Sequence, residues 1–410
     1  MKCLWAVGLL PIVVALRILF VNQYFPPDAS ATAYLLGELT EDLAGSHEVW
    51  VIAGLPSYNP DVSTFRPRGV HLARTWSTRF SRASLAGRAG NYGTFLATAL
   101  VRSLKGPRPD VVVAMTDPPV IGLIGMLAAR RHRVPFVYVC MDIFPDVGVA
   151  LGRVDRPITV RVWRSLNSLL RRGASRVVAV GRDMVDKLEA EGVPPSKVRF
   201  LPNWGNAVSA DLDVNVLREQ MGWHGKSVVM HAGNMGLAQN LGRVLEAAGL
   251  LRDEAADVRF VFMGDGAARR SLEERVKHDD LDNVTFLPYV PKEEAQRFTA
   301  AADLHVVSLA PGLWGCVAPS KVYGIMAAGR PFVAAVDSGS EPALLADEHG
   351  CGLVVEPGDA SALAEAILRA RDLPLDDMGR RGREAFERLY DRPIATAAYR
   401  NLLEEVVRRG

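Results

Sequence analysis

Cysteine and histidine are scarce in this chain of 410 residues, and neither has the spacing of metal ligands or disulfide partners. The four cysteines lie far apart without a CxxC pair, and the eight histidines form no HxH or HExxH pattern. We therefore expect no disulfide framework, no metal and no other cofactor, and the cysteine content fits a reducing cytoplasm. The triplet Asp211-Leu212-Asp213 has the form of a DxD metal motif, but it follows no strand and is interpreted as a linker.

Repeats, nucleic-acid motifs and long spanning runs are also lacking. No repeat of about 20–50 residues is visible, which argues against a solenoid. No RNA-binding signature or basic tract with interleaved aromatics occurs, so we expect no nucleic-acid partner. The apolar start, residues 1–16, lacks a small-residue cleavage site and is short for a membrane span once Pro11 and Arg17 are counted. It is expected to be a non-essential extension or a weak membrane anchor, not a secretion signal.

Charge is unevenly distributed between the two halves. Residues 1–206 hold 25 Lys and Arg against 15 Asp and Glu, a net of +10, whereas residues 207–410 hold 23 against 31, a net of −8. A basic half favours an anionic partner such as the inner membrane surface or a lipid-linked phosphate. The alternative is that its arginine clusters are solvated helix faces. The clusters are Arg79/Arg82/Arg88, Arg130/Arg131/Arg133 and Arg171/Arg172.

From Arg17 onward, short β-branched runs alternate with longer amphipathic stretches, as in the βαβ units of parallel sheets. Two series of six strands are separated by a polar segment, Ala210–Gly225, predicted to be a linker with a short helix. We predict an α/β protein with two Rossmann-like, doubly wound domains. The predicted strands are Ile18–Val21, Val49–Ala53, Val111–Met115, Phe136–Cys140, Val177–Val180, Val198–Leu201, Ser227–His231, Val258–Met263, Val284–Leu287, Leu304–Ser308, Pro331–Ala335 and Gly352–Val355.

Breaks in this pattern predict the domain boundaries. Pro202–Asn206 interrupts the first series, and the sequence around Asp391 separates the last helix from the second domain. That helix is predicted to cross back to the first domain. The predicted segments are an extension at 1–16, a first Rossmann-like domain at 17–203, a second Rossmann-like domain at 204–390 and a final helix at 391–410.

Three turns of the second domain each follow a predicted strand and precede a helix. Parallel strands end at one edge of their sheet, so these turns are expected to lie together where doubly wound folds bind ligands. Glycine permits close approach of a ligand, and a helix N-terminus attracts anions. The pattern predicts a diphosphate site charged by Lys321; the alternative is plain turns and a helix capped by Ser320. The turns are Gly233-Asn234-Met235-Gly236, Gly264-Asp265-Gly266 and Pro319-Ser320-Lys321.

Several stretches of both halves carry a family resemblance. They are GNMGLAQNL, MGDG, FLPYVPKEEAQRFTAAADLHVVSL, APSKVYGIMAAGRPFVA, NQYFPPDASATAYLLGELTEDLAGSHEVWVIAGLPSYNP and DIFPDVGVALG. They resemble the family-4 retaining glycosyltransferases with the GT-B fold, most closely the branch that makes bacterial surface polysaccharides, with its N-acetyl-L-fucosaminyl and colanic acid transferases. The resemblance covers about residues 17 to 375. It implies two Rossmann-like domains that face each other across a cleft, with an acceptor domain at 17–203 and a nucleotide-sugar donor domain at 204–390.

The resemblance also implies roles for the three turns. Gly233–Gly236 and Lys321 would contact the donor diphosphate, and Gly264–Gly266 would lie near the nucleobase pocket. Leu287–Val290, which includes Tyr289, would line that pocket. His231, which precedes the first turn, is interpreted as a strand-end residue and not as a catalytic group.

Acceptor-facing residues are implied in the first half. Asp28, Ser30 and Ala31, in the first loop, would face the donor phosphates and the acceptor. Asp117 and Asp142 follow two later strands and are candidates for orienting acceptor or sugar hydroxyls. Their alternative role is that of helix caps or turn residues before proline.

One departure from the family pattern concerns two glutamates, eight positions apart, that hold sugar and ribose hydroxyls in many relatives. The corresponding positions here are Cys316 and Gly324. The carboxylate role would then pass to Glu341 or to backbone groups.

The resemblance implies a metal-independent, retaining glycosyltransferase of the hexosyltransferase class. It would move a sugar from a nucleotide sugar, such as a UDP-N-acetylhexosamine, onto a lipid-linked or other glycan acceptor in cell-surface polysaccharide biosynthesis. The leaving diphosphate would accept the acceptor proton, with Lys321 stabilising its charge. The enzyme would be cytoplasmic and peripheral to the inner face of the membrane. Two alternatives stay open: a nucleotide-sugar 2-epimerase of the same architecture, and a non-catalytic sugar-nucleotide binding protein.

Overall fold

The computed structural model describes residues 15–28, 30–56, 67–78, 80, 85–208 and 213–409. Most of the predicted extension at 1–16 lies outside these residues, as do Arg79, Arg82 and Asp211, and the side chain of Arg88 is not described. No helix in the described ranges is both long enough and apolar enough to cross a membrane.

The first sheet has seven strands in the order β3-β2-β1-β4-β5-β6-β7. The strand pairs β1–β2, β2–β3, β1–β4, β4–β5 and β6–β7 are parallel. The strands are β1 (Arg17–Val21), β2 (Glu48–Gly54), β3 (Val70–Thr75), β4 (Val111–Ala114), β5 (Phe136–Cys140), β6 (Arg176–Ala179) and β7 (Val198–Phe200).

The second sheet has six parallel strands in the order β10-β9-β8-β11-β12-β13. In each sheet the chain order reverses at one point, between β1 and β4 and between β8 and β11, and the carboxyl ends of strands at such a point form a crevice. The strands are β8 (Ser227–Ala232), β9 (Val258–Met263), β10 (Val284–Leu287), β11 (Leu304–Ser308), β12 (Phe332–Ala335) and β13 (Gly352–Val355).

Helices lie in most of the connections between successive strands, as is usual for parallel pairing; none is described between β2 and β3. In the first half they are α1 (Ala31–Ala44), α2 (Leu85–Lys105), α3 (Ile121–His132), α4 (Asp146–Ala150), α5 (Pro157–Gly173) and α6 (Arg182–Ala190). In the second half they are α7 (Val214–Gln220), α8 (Leu241–Glu254), α9 (Arg269–His278), α10 (Lys292–Ala301), α11 (Lys321–Ala327), α12 (Glu341–His349), α13 (Ala360–Ala370), α14 (Leu375–Leu389) and α15 (Arg392–Arg409).

Burial on both faces explains why the strands are continuous apolar runs. In β4, all four residues from Val111 to Ala114 are at most 1% exposed, because helices cover both sides of a doubly wound sheet. All twelve predicted strands are present, and the two-domain α/β prediction is confirmed. The prediction missed β3, an edge strand whose sequence VHLART includes His71 and Arg74. Because an edge strand is only partly covered, it does not need an apolar run.

By packing, the chain divides into two compact units. One comprises Met1–Tyr138, Gly173–Ser175 and Arg400–Gly410, and the other Val139–Arg172 and Arg176–Tyr399. The predicted boundaries after residues 16, 203 and 390, and the crossing of the final helix to the first domain, stay predictions.

Candidate functional site

The first two glycine turns interlock at the carboxyl ends of β8 and β9. Gly233 and Gly264 have φ of +119° and +135°, and a Cβ on Gly264 would lie 2.0 Å from the Gly233 carbonyl oxygen. A Cβ on Gly266, at φ +155°, would lie 2.6 Å from the backbone of Met235. The Met235 N–H donates to the Asp265 carbonyl at 2.8 Å. Only glycine permits these contacts, so the two turns form one rigid backbone unit.

The side chain of Lys321, from the third turn, lies against these two turns. Lys321 is the first residue of α11, and its Nζ lies 3.9 Å from the place that a Cβ on Gly233 would occupy. The same Nζ lies 3.1 Å from Nε2 and 3.3 Å from Nδ1 of His231, which is buried at the end of β8. The fold thus brings residues about 90 positions apart to one point, as the common sheet edge predicts.

A cavity of about 230 Å³ lies beside this point. Lys321 is the one charged residue of its lining, Tyr289 and Val290 form part of its wall, and the other lining residues are small or apolar apart from Thr299. A cavity with apolar walls and one cation suits the base and phosphates of a nucleotide. The lining is Ala232, Gly233, Met263, Gly264, Tyr289, Val290, Ala295, Thr299, Lys321, Gly324 and Ile325.

Burial sets the charge states at this point. Loss of water around the ammonium lowers the pKa of Lys321 to about 7. Burial, and then the neighbouring Lys321 charge, lowers the pKa of His231 well below its usual range. His231 is therefore neutral at pH 7, while Lys321 titrates near neutrality. An anion bound at Nζ would favour the protonated form and restore the full charge.

Several residues predicted to contact the donor are buried, bonded within their own turn or outside the cavity lining. Ser320 does not cap α11: it has helical backbone angles, and its side chain makes no capping hydrogen bond. The Met235 side chain is buried in the hydrophobic core, so only its backbone can reach a ligand. The Gly236 N–H donates to Gln239 Oε1 at 3.0 Å, and Asp265 Oδ1 accepts from the N–H of Gly266 at 2.7 Å. Asn234 is exposed, Pro319 is half-buried, and neither lines the cavity.

Glu341 forms a buried ion pair that the sequence did not reveal. Its carboxylate is 1% exposed and accepts from Arg182 Nε at 3.1 Å, from Arg182 Nη2 at 3.3 Å and from the Arg182 N–H at 2.8 Å. Arg182 also donates to Glu348 at 2.6 Å. A sugar hydroxyl would have to compete with this guanidinium for Glu341. The two residues are 159 positions apart and belong to no local motif, so no sequence signal pointed to Arg182.

Cys316 and Gly324, the two positions that the resemblance assigns to the family's glutamates, differ from each other in structure. Gly324 lines the cavity, and no heavy atom lies within 4 Å of the place its Cβ would occupy. Cys316 is buried, and burial raises the pKa of its thiol to about 11. Neither position supplies a carboxylate, and Gly324 leaves open space beside Lys321.

Asp142 lies beside the segment that leads into the Lys321 turn. It forms an antiparallel bridge with Val317, and the next residue, Ile143, donates its N–H to the Cys316 carbonyl at 2.9 Å. A residue that the sequence did not single out, Asp183, accepts from the Gly315 N–H at 2.9 Å. Burial raises the pKa of Asp183 to about 6. Residues 315–317 are thus held from two sides.

The other predicted residues lie at the reversal point of the first sheet. Asp117 follows β4, and burial raises its pKa, which a hydrogen bond with Thr32 partly offsets. Asp28 is fully buried, whereas Ser30 caps α1 by accepting from the Ala33 N–H at 3.2 Å. Ala31 is the first, exposed residue of α1 and can offer a ligand only its backbone and methyl group.

Residues of the DxD triplet and of two arginine clusters have other roles or positions in the structure. Asp213 caps α7 by accepting from two backbone N–H groups, and Asp211 lies outside the described residues. Within the described ranges, no three His, Cys, Asp or Glu side chains are grouped to hold a metal ion. The prediction that Arg171 faces an anionic surface is wrong, because it is 5% exposed and pairs with Glu191. Arg130, Arg131 and Arg133 are exposed as expected.

Comparison with known families gives two consecutive matches. The model of the glycosyl transferase 4-like domain matches residues 31–204, and that of the glycosyl transferases group 1 matches residues 226–372. Together the two models cover most of the chain, one in each half.

Individual proteins are similar over nearly the whole length. "Probable glycosyltransferase WbjE" of Pseudomonas aeruginosa is 28% identical, over 95% of this chain and 99% of the relative. WcaI of Escherichia coli K12, named as a colanic acid biosynthesis glycosyl transferase, is 28% identical over 88% of this chain and 93% of the relative. The crystal structure of HepE from Anabaena, in complex with UDP and glucose, superposes with a TM-score of 0.74 at 17% identity, over 95% of this chain and 100% of that one. This chain is therefore a glycosyltransferase of the GT-B fold, with a glycosyl transferase 4-like domain followed by a glycosyl transferases group 1 domain.

Proposed function

We propose that this enzyme transfers a sugar, with retention at the anomeric carbon, from a UDP-sugar such as a UDP-N-acetylhexosamine to a lipid-linked or other glycan acceptor. The process would be cell-surface polysaccharide biosynthesis. The observation that carries the proposal is that Gly233, Gly264 and Lys321 meet at one cavity whose single charged side chain is a lysine.

The donor is inferred from the shape and chemistry of this cavity. A flat nucleobase fits between small and apolar walls that include Tyr289 and Val290, and the diphosphate would lie where Lys321 Nζ meets the Gly233 turn. HepE, which has the same fold, binds UDP and UDP-glucose. That similarity supports a uridine nucleotide as the first choice.

Catalysis would consist mainly of charge stabilisation and positioning. Binding of the donor would leave Lys321 fully protonated, and as the glycosidic bond breaks, negative charge moves onto the leaving diphosphate beside this ammonium. Neutral His231 can accept a hydrogen bond from Nζ and so orient it. The diphosphate oxygen would then take the proton of the incoming hydroxyl on the same face of the sugar. Asp117 and Asp142 are proposed to orient the acceptor or sugar hydroxyls, and no metal is proposed to take part.

The acceptor and location are inferred from charge and from relatives. WcaI is named for colanic acid biosynthesis, and the net charge of +10 in residues 1–206 favours an anionic surface. We propose a cytoplasmic enzyme held peripherally at the inner face of the membrane.

Incubation with a radiolabelled UDP-sugar and a membrane extract tests the proposal. Free UDP together with a lipid-soluble labelled product is the expected result. A sugar inverted at C2, with the label still on the nucleotide, would instead identify a 2-epimerase. Binding without turnover would identify a sugar-nucleotide binding protein.

The nucleobase is tested separately by a thermal-shift panel of UDP, GDP, dTDP and ADP. A ligand present at 100 times its dissociation constant stabilises the folded state by about 2.7 kcal/mol. The largest shift is expected with UDP. A larger shift with GDP would reassign the donor without changing the reaction.

A further inference from the structure

Helix α5 packs firmly on one side. Leu170 is buried, the Trp163 ring packs edge-on against Phe144 with centroids 4.7 Å apart, and Arg171 pairs with Glu191. These contacts fix the rotation of the helix about its axis. The residues on the opposite side are consequently held in solvent.

An apolar stripe runs along this outer side. Ile158, Val162 and Leu169 project within about 40° of one another, given about 100° per residue in a helix. They are 77%, 61% and 43% exposed, and the first two are the most exposed large apolar side chains in the described part of the chain. Single exposed apolar residues are ordinary, but several on one stripe indicate a surface that binds something.

Arginines border the stripe on one side. Arg161 and Arg172 are exposed, and within the described residues neither forms an ion pair; Arg172 Nε donates to the Ser168 carbonyl at 3.3 Å. Arg164 lies further around the helix axis, and its Nη2 donates to Asp146 Oδ1 at 2.6 Å. A shallow depression of about 640 Å³, which includes these three arginines and Ser168, runs along the same side. Two guanidinium groups are therefore available to an anion beside the apolar stripe.

We propose that α5 is the membrane-binding surface of this enzyme. Ile158, Val162 and Leu169 would enter the acyl boundary of an anionic bilayer, while Arg161 and Arg172 bind lipid phosphates. An apolar stripe bordered by cations is the pattern of helices that lie in the plane of the membrane interface, and the guanidinium fork matches phosphate geometry. The inference rests on the proposed location at a membrane, and it names the surface responsible.

The apolar stripe is tested by vesicle co-sedimentation of the full chain. The variant Ile158→Ser/Val162→Ser should bind mixed phosphatidylcholine–phosphatidylglycerol vesicles at least about tenfold more weakly than wild type. The control Val216→Ser/Leu250→Ser removes two exposed apolar side chains from α7 and α8 and should bind as wild type does. Both variants should keep the UDP-induced thermal shift, which shows that they are folded.

The arginines are tested by charge removal. The variant Arg161→Gln/Arg172→Gln should bind anionic vesicles about 25-fold more weakly at low salt, since each cation at such a surface contributes about fivefold. The difference should shrink as salt is added. The matched control Arg130→Gln/Arg131→Gln, on the exposed end of α3, should bind as wild type does.

Three results would overturn the proposal. Both α5 variants could bind as wild type does, or deletion of Met1–Ala15 alone could abolish binding. Sedimentation velocity could also show a dimer that Ile158→Ser/Val162→Ser converts to monomer, which would make the stripe a protein interface. A chain that binds vesicles through α5 but releases no UDP from UDP-sugars would leave this inference standing and contradict the proposed donor.

Discussion

Lys321 is the residue on which the proposed donor site depends most, because it brings the single side-chain charge to the cavity. Its charge would matter more in the transition state than in the ground state, since negative charge then concentrates on the leaving diphosphate. We expect Lys321→Ala to lose about 10²–10³ in kcat, the usual cost of removing one preorganised group. Lys321→Arg should recover part of this loss, because a guanidinium presents its charge differently.

Steady-state kinetics at saturating donor measure that loss. Lys292→Ala is the control, since Lys292 is an exposed lysine at the start of α10, outside the cavity lining. Equal kcat for Lys321→Ala and wild type would show that the diphosphate binds elsewhere.

The lowered pKa of Lys321 also predicts how stability depends on pH. The unfolded chain holds this proton up to the usual lysine pKa, whereas the unliganded folded chain releases it at about 7. Between these values the unfolded state binds more protons, so the contribution of Lys321 to the free energy of unfolding becomes more favourable as pH rises. The destabilisation by its buried charge is therefore largest below about pH 7. Lys321→Met should therefore raise the free energy of unfolding, by at least about 1 kcal/mol near pH 6 and by less near pH 9.

Urea unfolding of the two unliganded proteins at both pH values measures this difference. In the same pH range, wild type should take up a proton on binding UDP, so its affinity should fall as pH rises above about 7. Calorimetry in buffers of different ionisation enthalpy detects that proton. A wild-type protein more stable than Lys321→Met at low pH would show that Lys321 is not desolvated.

Helix α11 contains one glycine, Gly324, that borders open space in the cavity. Gly324 has no heavy atom within 4 Å of its missing Cβ, and it lines the cavity. Alanine in a helix interior is about 0.5–1 kcal/mol more favourable than glycine. We therefore expect Gly324→Ala to stabilise the fold and to weaken UDP binding, because the methyl group enters the donor site.

Gly93→Ala in α2 is the matched control, since Gly93 is also helical and also has nothing within 4 Å. It should stabilise the fold by a similar amount and leave UDP affinity unchanged. Unaltered UDP binding by Gly324→Ala would place the nucleotide away from α11.

The ion pair between α6 and α12 is expected to be structural. Glu341→Gln should lower the free energy of unfolding by about 2 kcal/mol. This loss is smaller than for a fully buried ion pair, because the Arg182 side chain is 32% exposed and water can solvate its charge. Arg182→Gln should have a similar effect, and the double variant should cost less than the sum of the two. Denaturant unfolding and donor KM are measured together. An unchanged stability with a raised KM for Glu341→Gln would make Glu341 a sugar ligand.

The elements differ in how far the sequence predicts them. Strands such as β4 and β12 are predictable because burial on both faces forces a continuous apolar run. The edge strand β3 escaped prediction for the opposite reason. The turns around Gly233 and Lys321 were predictable because topology alone brings the carboxyl ends of strands together. The contacts of Glu341 with Arg182 and of Asp183 with Gly315 were not, because pairs 159 and 132 positions apart have no local pattern.

For the whole molecule, the donor charge is met by protein groups alone in the proposed mechanism. Transfer activity is therefore expected to survive EDTA, since a lysine and backbone N–H groups take the role that a divalent cation has in other phosphate sites. Sugar transfer before and after chelation measures this. Activity that disappears with EDTA and returns with Mg²⁺ or Mn²⁺ would contradict the mechanism.

The turns at Gly233 and Gly264 contact each other through main-chain atoms, whereas side chains form the rest of the wall of the proposed donor site. Because the turns meet backbone to backbone, the shape of the main chain beside the proposed diphosphate position does not depend on the side chains around it, although the charge there still comes from Lys321. The part of the cavity wall formed by Tyr289, Val290 and Ala295 takes no part in these contacts between the turns. A library of substitutions confined to that wall should therefore yield enzymes with altered nucleotide preference that still fold and still hold two phosphates. Such enzymes would show that nucleotide preference at the proposed site changes one side chain at a time while the two turns stay as they are.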